Sequence, residues 1–111
     1  MLTRGDIFRK AGGYIPWRCI SAHGSTFTAT RLDDDTQREV VFHGFSDHSF
    51  VRYKDRKMPN VRVGSIIKAY KDRIGIITNL RRFRGYAAEF RNNHSITYVV
   101  AVDEIIEVLV Y

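Results

Sequence analysis

Gly5-Asp6-Ile7-Phe8-Arg9 returns as Gly64-Ser65-Ile66-Ile67-Lys68, and four further blocks follow in the same order. Trp17-Arg18-Cys19-Ile20-Ser21 answers to Ile74-Gly75-Ile76-Ile77-Thr78, and Thr28-Ala29-Thr30-Arg31-Leu32 to Tyr86-Ala87-Ala88-Glu89-Phe90. Glu39-Val40-Val41-Phe42 answers to Tyr98-Val99-Val100-Ala101, and Phe50-Val51-Arg52-Tyr53 to Val108-Leu109-Val110-Tyr111. The blocks are offset by 57 to 59 residues. Self-similarity of this kind means one supersecondary unit used twice. It divides the chain into residues 1–57 and 58–111, joined near Lys54-Asp55-Arg56-Lys57-Met58-Pro59-Asn60. Pro59 there lacks an N–H and biases Met58 toward extended geometry.

Inside each copy the apolar residues alternate or cluster in short β-branched runs, and no long amphipathic helix is evident. The pattern predicts strands over 6–10, 16–21, 26–32, 38–43 and 49–53. Their counterparts are 65–70, 74–79, 85–90, 96–102 and 105–110. Turn signals stand between them at Gly12-Gly13, His23-Gly24-Ser25, Asp33-Asp34-Asp35, Gly85 and Asn92-Asn93-His94. Ten short strands in 111 residues argue for an all-β fold of two tandem small barrels. A single OB-fold barrel, with residues 47–60 as a connecting helix, is the alternative. The apolar run Ile105-Ile106-Glu107-Val108-Leu109-Val110-Tyr111 is expected to be paired and buried.

Composition narrows the class. With 44% apolar and 13% aromatic residues, the chain has the material for a core. No apolar run approaches the roughly 18 residues of a membrane span. The start, Met1-Leu2-Thr3-Arg4-Gly5-Asp6, lacks the apolar stretch of a signal peptide. Cys19, the single cysteine, excludes an internal disulfide and fits a reducing compartment. The expectation is a cytoplasmic protein, with nucleoid association open. Asn93-His94-Ser95 reads as a turn.

The net charge of +6 is unevenly spread along the sequence. Residues 1–51 carry six basic and six acidic side chains. Residues 52–91 carry twelve basic residues against three acidic ones, and residues 92–111 carry three acidic residues and no lysine or arginine. Positive charge gathered in the middle of a chain predicts a polyanion-facing surface.

Val63-Gly64-Ser65-Ile66-Ile67-Lys68-Ala69-Tyr70-Lys71-Asp72-Arg73-Ile74-Gly75-Ile76-Ile77 resembles a KOW motif. KOW segments belong to SH3-like barrels of ribosomal proteins and transcription elongation factors. They show a glycine opening a strand, a basic turn, and a glycine inside the next strand; Gly64 and Gly75 take these places. A glycine inside a strand permits close backbone approach at a tight corner. The resemblance covers about 45 residues of the second copy. In the first copy, Arg18 stands where Gly75 stands and Gly12-Gly13 lengthens the turn. The resemblance implies SH3-like (KOW/Tudor-type) barrels that bind nucleic acid or protein without catalysis and without a cofactor.

Asn79-Leu80-Arg81-Arg82-Phe83-Arg84-Gly85 is the leading candidate site, a loop between two predicted strands. Arg81, Arg82 and Arg84 offer bidentate contacts to phosphate oxygens, and Phe83 could stack on a base or fold back onto the barrel. Lys71 and Arg73, in the preceding basic turn, are expected to extend that face. Arg52, Lys54, Arg56 and Lys57 form a second basic cluster at the join, as readable as a solvated linker. Arg4, Arg9 and Lys10 are weaker candidates. Trp17, near Tyr14, reads first as core, with an aromatic platform of the Tudor kind as the other option.

His23, His43, His48 and His94 lack metal-ligand spacing, and Ser46-Asp47-His48 are too close in sequence to form a triad. Asp33-Asp34-Asp35 lacks the glycine and distal glutamate of a calcium loop. The expected function is therefore non-catalytic nucleic-acid binding, duplex DNA slightly favoured over RNA. The chain would be an accessory or regulatory factor, with the look of small phage-encoded proteins. A protein-interaction adaptor that binds an acidic protein surface is the competing class.

Overall fold

Thr3-Arg4-Gly5-Asp6 and Arg62-Val63-Gly64-Ser65 close into the same turn. In one, the Thr3 N–H donates to Asp6 Oδ2 at 2.9 Å and the Asp6 N–H donates back to the Thr3 carbonyl at 3.0 Å. In the other, the Arg62 N–H donates to Ser65 Oγ at 3.0 Å and the Ser65 N–H to the Arg62 carbonyl at 3.0 Å. Gly5 and Gly64 have φ of +90° and +96°, a region a Cβ makes costly. Each turn is then stitched to the next strand but one. Gly5 N–H and Gly64 N–H donate to Cys19 O and Ile77 O, and Cys19 N–H and Ile77 N–H donate to Asp6 O and Ser65 O.

The computed structural model describes residues 1–34, 36–44, 46, 48–80 and 82–111, with Arg82 and Phe83 described in backbone only. The strands are β1 (Ile7–Lys10), β2 (Trp17–His23), β3 (Thr26–Arg31), β4 (Glu39–Phe42) and β5 (Phe50–Arg52), then β6 (Ile66–Ala69), β7 (Arg73–Asn79), β8 (Ala87–Arg91), β9 (Thr97–Ala101) and β10 (Glu107–Val110). Short 3-10 turns cover Tyr53–Asp55, Tyr70–Asp72, Arg82–Gly85 and Val102–Glu104, and no α-helix occurs among the described residues. The protein is all-β, as the alternation predicts. It divides into two compact units, Met1–Lys57 and Met58–Tyr111. Each holds one five-stranded antiparallel sheet, in the order β4-β3-β2-β1-β5 and β10-β6-β7-β8-β9. In each, four strands meander and the fifth returns beside the first.

Register refines the repeat. Phe8 faces Trp17 across β1–β2, and Ile67 faces Gly75 across β6–β7. The residue in the place of Gly75 is therefore Trp17; the sequence blocks, which set Arg18 there, are one residue out of step. A bulge recurs as well. In the first unit Cys19 faces Ala29 and Ser21 faces Thr28; in the second, Ile77 faces Phe90 and Asn79 faces Glu89. The extra residue falls at the same point of both sheets, after Cys19 and after Ile77. Bulges re-aim a strand and tighten its twist, so their repetition marks the same bend.

The cores then trade sizes. Trp17 lies on the same strand face as Cys19, which faces Ala29; in the second unit the matching residues are Gly75, Ile77 and Phe90. A Cβ on Gly75 would stand 2.6 Å from the Arg91 carbonyl oxygen and 2.8 Å from Phe90 Cδ2, the close approach expected of a strand-interior glycine. One slot is filled by a large side chain from β2 and the other by a large one from β8. Aromatic pairing shifts in the same way. Phe27 and Phe42 face each other and stack at 4.9 Å, where the second unit has Ala88 and Val100. Phe90 and Tyr98, 5.5 Å apart, stand where the first unit has Ala29 and Val40. Such ring pairs add about 0.5–1.5 kcal/mol each beyond their buried area.

Two details of the sequence reading come out differently. The apolar end of the chain is paired, β10 on β6, but Leu109, Val110 and Tyr111 are exposed because β10 is an edge strand. Arg9, read as a weak binding candidate, is buried at 2% exposure. Cys19 is buried too; its thiol donates to the Ser21 carbonyl at 3.6 Å. Burial, helped by the nearby Asp6 charge, pushes its pKa up, so it stays a protonated core residue.

Candidate nucleic-acid interface

Strand β7 runs from Arg73 to Asn79, about 20 Å at 3.3 Å per residue. The basic turn at Tyr70–Asp72 lies at its start and the arginine loop ending in Arg82–Gly85 follows its end. Lys71 and Arg73 are therefore separated from the arginine loop by the length of the strand, instead of extending its face.

The turn end is the richer of the two. Lys71 and Asp72 both adopt the left-handed region, with φ of +60° and +57°. Non-glycine residues pay for that conformation, lysine more than aspartate. The Lys68 ammonium 3.4 Å from the Asp72 carboxylate helps to hold the turn. It displays Tyr70, 65% exposed, with Lys71 Nζ 5.7 Å from the ring centroid. Arg73 lays its guanidinium over Tyr98 at 4.3 Å. Arg91, exposed, faces Ile76 on one side and Thr97 on the other, at the same end of the sheet. Two exposed cations, Lys71 and Arg73, thus lie over aromatic rings, Arg91 projects from the opposite face at the same end because it shares a row with Ile76 and Thr97, and the turn's own acid is engaged by Lys68. Cations held over rings cost little to keep in place, and their outer N–H groups still point to solvent.

At the loop end, Arg84 is exposed with φ of +57°. Arg81 lies outside the described residues, and Arg82 and Phe83 belong to the 3-10 turn through their backbone. The Val102 N–H donates to the Tyr86 carbonyl at 3.0 Å. That bond brings the acidic turn bearing Asp103 and Glu104 alongside the end of the arginine loop, where its charge opposes a polyanion.

The join cluster is partly committed inside the first unit. Arg52 Nε meets Asp55 Oδ2 at 2.8 Å and its Nη1 donates to the Met1 carbonyl at 2.8 Å. Lys54 Nζ lies 3.3 Å from Asp6 Oδ1. Burial alone would raise the Asp6 pKa, but the Thr3 N–H and the Lys54 ammonium outweigh it and hold the carboxyl below its usual value. Arg56 and Lys57 are exposed. Surface pairs of this kind are worth little, so Arg52 and Lys54 can change partners. Arg4 is exposed as well.

Folding also evens the charge. Residues 1–57 hold ten basic and seven acidic side chains and residues 58–111 hold eight and five, so each unit carries +3. The concentration over residues 52–91 is a property of sequence order that the two units share out.

His23, His43, His48 and His94 are all exposed. Among the described residues no three His, Cys, Asp or Glu side chains converge to hold a metal; Asp35 and Asp47 lie outside them. Asp34 accepts the Thr36 N–H at 2.9 Å, and Asn92 accepts the N–H groups of His94 and Ile96, so both polar stretches are turns. No described helix is long and apolar enough to cross a membrane. The residues that sequence reading missed are Tyr70, Tyr98 and Arg91. Tyr70 adjoins Lys71 and could have been seen; Tyr98 reaches Arg73 only through the sheet register. No family model, curated protein or solved structure matches this chain.

Proposed function

We propose that the protein is a non-catalytic nucleic-acid-binding factor built of two SH3-like barrels, the second of KOW type. It would contact phosphates, duplex DNA slightly favoured over RNA, in an accessory or regulatory role. The meander of four strands with the fifth returning beside the first supports SH3-like barrels over a single OB-fold. So does the strand β5 and 3-10 turn over residues 50–55, where the OB reading needs a helix. The observation that carries the function is the turn end of the second unit. Lys71 and Arg73 are exposed there over Tyr70 and Tyr98, with Asp72 held by Lys68 and Arg91 exposed on the other face at the same sheet end. Phosphate neutralisation supplies affinity with little base readout.

The test is a salt series of binding to duplex DNA, single-stranded DNA and RNA. Three lost phosphate contacts shrink the log–log slope by about 2.7 units on duplex DNA. Lys71, Arg73 and Arg91 changed together to alanine should produce that loss. Arg81, Arg82 and Arg84 changed together should produce less, because Asp103 and Glu104 stand beside that loop. No binding to any nucleic acid at low salt would refute the proposal.

A second reading rests on the outer face of the second unit's sheet, the face that also bears Arg91. Val110 faces Ile66, and Ile66 faces Ile76, across β10-β6-β7. Val110 and Ile76 are 57% and 49% exposed, beside exposed Ile74 and Leu109. An apolar row on a sheet exterior suits a protein partner, so an adaptor for a protein surface is the alternative that a negative binding result would promote.

A further inference from the structure

The first unit has a cavity of about 250 Å³ lined by Lys10, Gly13, Tyr14, Ile15, Trp17 and Arg31. It exists because the β1–β2 connection differs from its twin. Where the second unit turns through Tyr70–Asp72, the first runs through residues 11–16 and arches over Trp17. The arch is fixed at four points. Ala11 N–H donates to Ser49 O, Gly13 N–H to Lys10 O, and Leu32 N–H to Pro16 O. The fourth is Arg9, whose Nη1 donates to the Lys10 and Gly13 carbonyls at 3.3 and 3.2 Å. Arg9 is 2% exposed, which is expensive for a guanidinium, and here its Nη1 is turned on the loop that walls the cavity.

The chemistry of the cavity is apolar below and cationic at its rim. Trp17 forms the floor, with Tyr14 and Ile15 on the arch. Lys10 Nζ lies 5.7 Å from the Trp17 centroid and Arg31 Cζ 5.8 Å from it. Arg31 is tied to Asp33 through two bonds of 2.8 and 2.6 Å. No described carboxylate lies within ion-pair distance of Lys10. With Arg31 neutralised by Asp33, the charge left over the indole is that of Lys10, which disfavours a methylated ammonium of the Tudor kind and attracts an anion. The volume falls just below the range of about 300–1,000 Å³ for drug-sized sites, so one flat group fits.

We propose that this cavity binds a single unpaired nucleotide, the base against Tyr14 and the indole edge of Trp17 and the phosphate on Lys10. The site belongs to the first unit and does not depend on the phosphate contacts proposed for the second.

Trp17 is the single tryptophan, so its emission reports this site in the full chain. Titration with adenosine monophosphate should give a saturable change, while adenosine and inorganic phosphate each bind about tenfold more weakly or not at all. Lys10→Glu and Lys10→Gln should each weaken the nucleotide about tenfold, the value of one charge-assisted contact. Lys10 is exposed, and an unchanged circular dichroism spectrum verifies the fold. Changing Lys71, Arg73 and Arg91 to alanine should leave the titration as it was. No saturable response to the nucleotide overturns the proposal. So does a response that both Lys10 variants retain. Preferential binding of phosphotyrosine or an acidic peptide also overturns it, in favour of a protein ligand.

Discussion

Gly75→Ala tests the packing of the second unit most directly. The added Cβ would stand 2.6 Å from the Arg91 carbonyl oxygen, 2.8 Å from the Arg91 carbonyl carbon and 2.8 Å from Phe90 Cδ2. Two of the three neighbours are backbone atoms of the paired strand β8, so no rotamer change relieves the clash. Overfilling a packed core costs typically about 1–3 kcal/mol, and contact with backbone puts this site at the upper end. At about 0.05–0.15 kcal/mol per residue, a unit of Met58–Tyr111 has roughly 3–8 kcal/mol to lose. The substitution should therefore remove a third or more of its stability. Hydrogen exchange along β6 to β9, with urea unfolding followed by far-ultraviolet circular dichroism, measures the loss. Trp17 emission reports the first unit alone, and its transition should be unaffected. Adding Phe90→Leu should restore only part, since the Arg91 backbone remains in place. A Gly75→Ala protein within about 0.5 kcal/mol of the parent would refute the idea that the missing Cβ sets the β7–β8 approach.

Three other expectations follow from single features. Replacing Lys71-Asp72 by Asn-Gly relieves two left-handed residues and should stabilise the second unit by about 1 kcal/mol, while lowering nucleic-acid affinity; a gain in stability without loss of binding would remove Lys71 from the interface. Asp6 has a depressed folded-state pKa, so its contribution is present above the ordinary carboxylate range near pH 4 and is lost as pH falls through the folded value; Asp6→Asn should flatten the acid limb of the urea midpoint against pH. Cys19, buried with a raised pKa, should react with a thiol reagent only on unfolding, so labelling of the native protein as fast as in urea would contradict its place in the core.

Much of this architecture could be read from the chain, and what could not has a common cause. Alternation marks strands locally, so all ten were legible, as were the turns at Gly24, Asp34 and Asn92. The bulges after Cys19 and Ile77 were not, because an extra residue is visible only from the partner strand. The pairings of Phe8 with Trp17 and of Ile67 with Gly75 were hidden likewise, which put Arg18 in the place of Trp17. The burial of Arg9 was hidden for a similar reason: its partners are carbonyls of the arch at Lys10 and Gly13, and carbonyls leave no trace in residue type. At the candidate site, Lys71 and Arg73 were legible as a basic turn. Their distance from Arg84 is set by the length of β7, and the pairing of Arg73 with Tyr98 by the order of three strands, which sequence proximity does not convey.

The opposite filling of the two cores bears on how such a chain avoids tangling. Adjacent copies of one fold invite strands of one to pair with strands of the other during folding. Here β2 laid against β8 would bring Trp17 and Phe90 into one slot, and β7 laid against β3 would leave Gly75 and Ala29 facing a void. Each wrong marriage is either overfull or hollow, so the size code works against exchange between two sheets of one strand order.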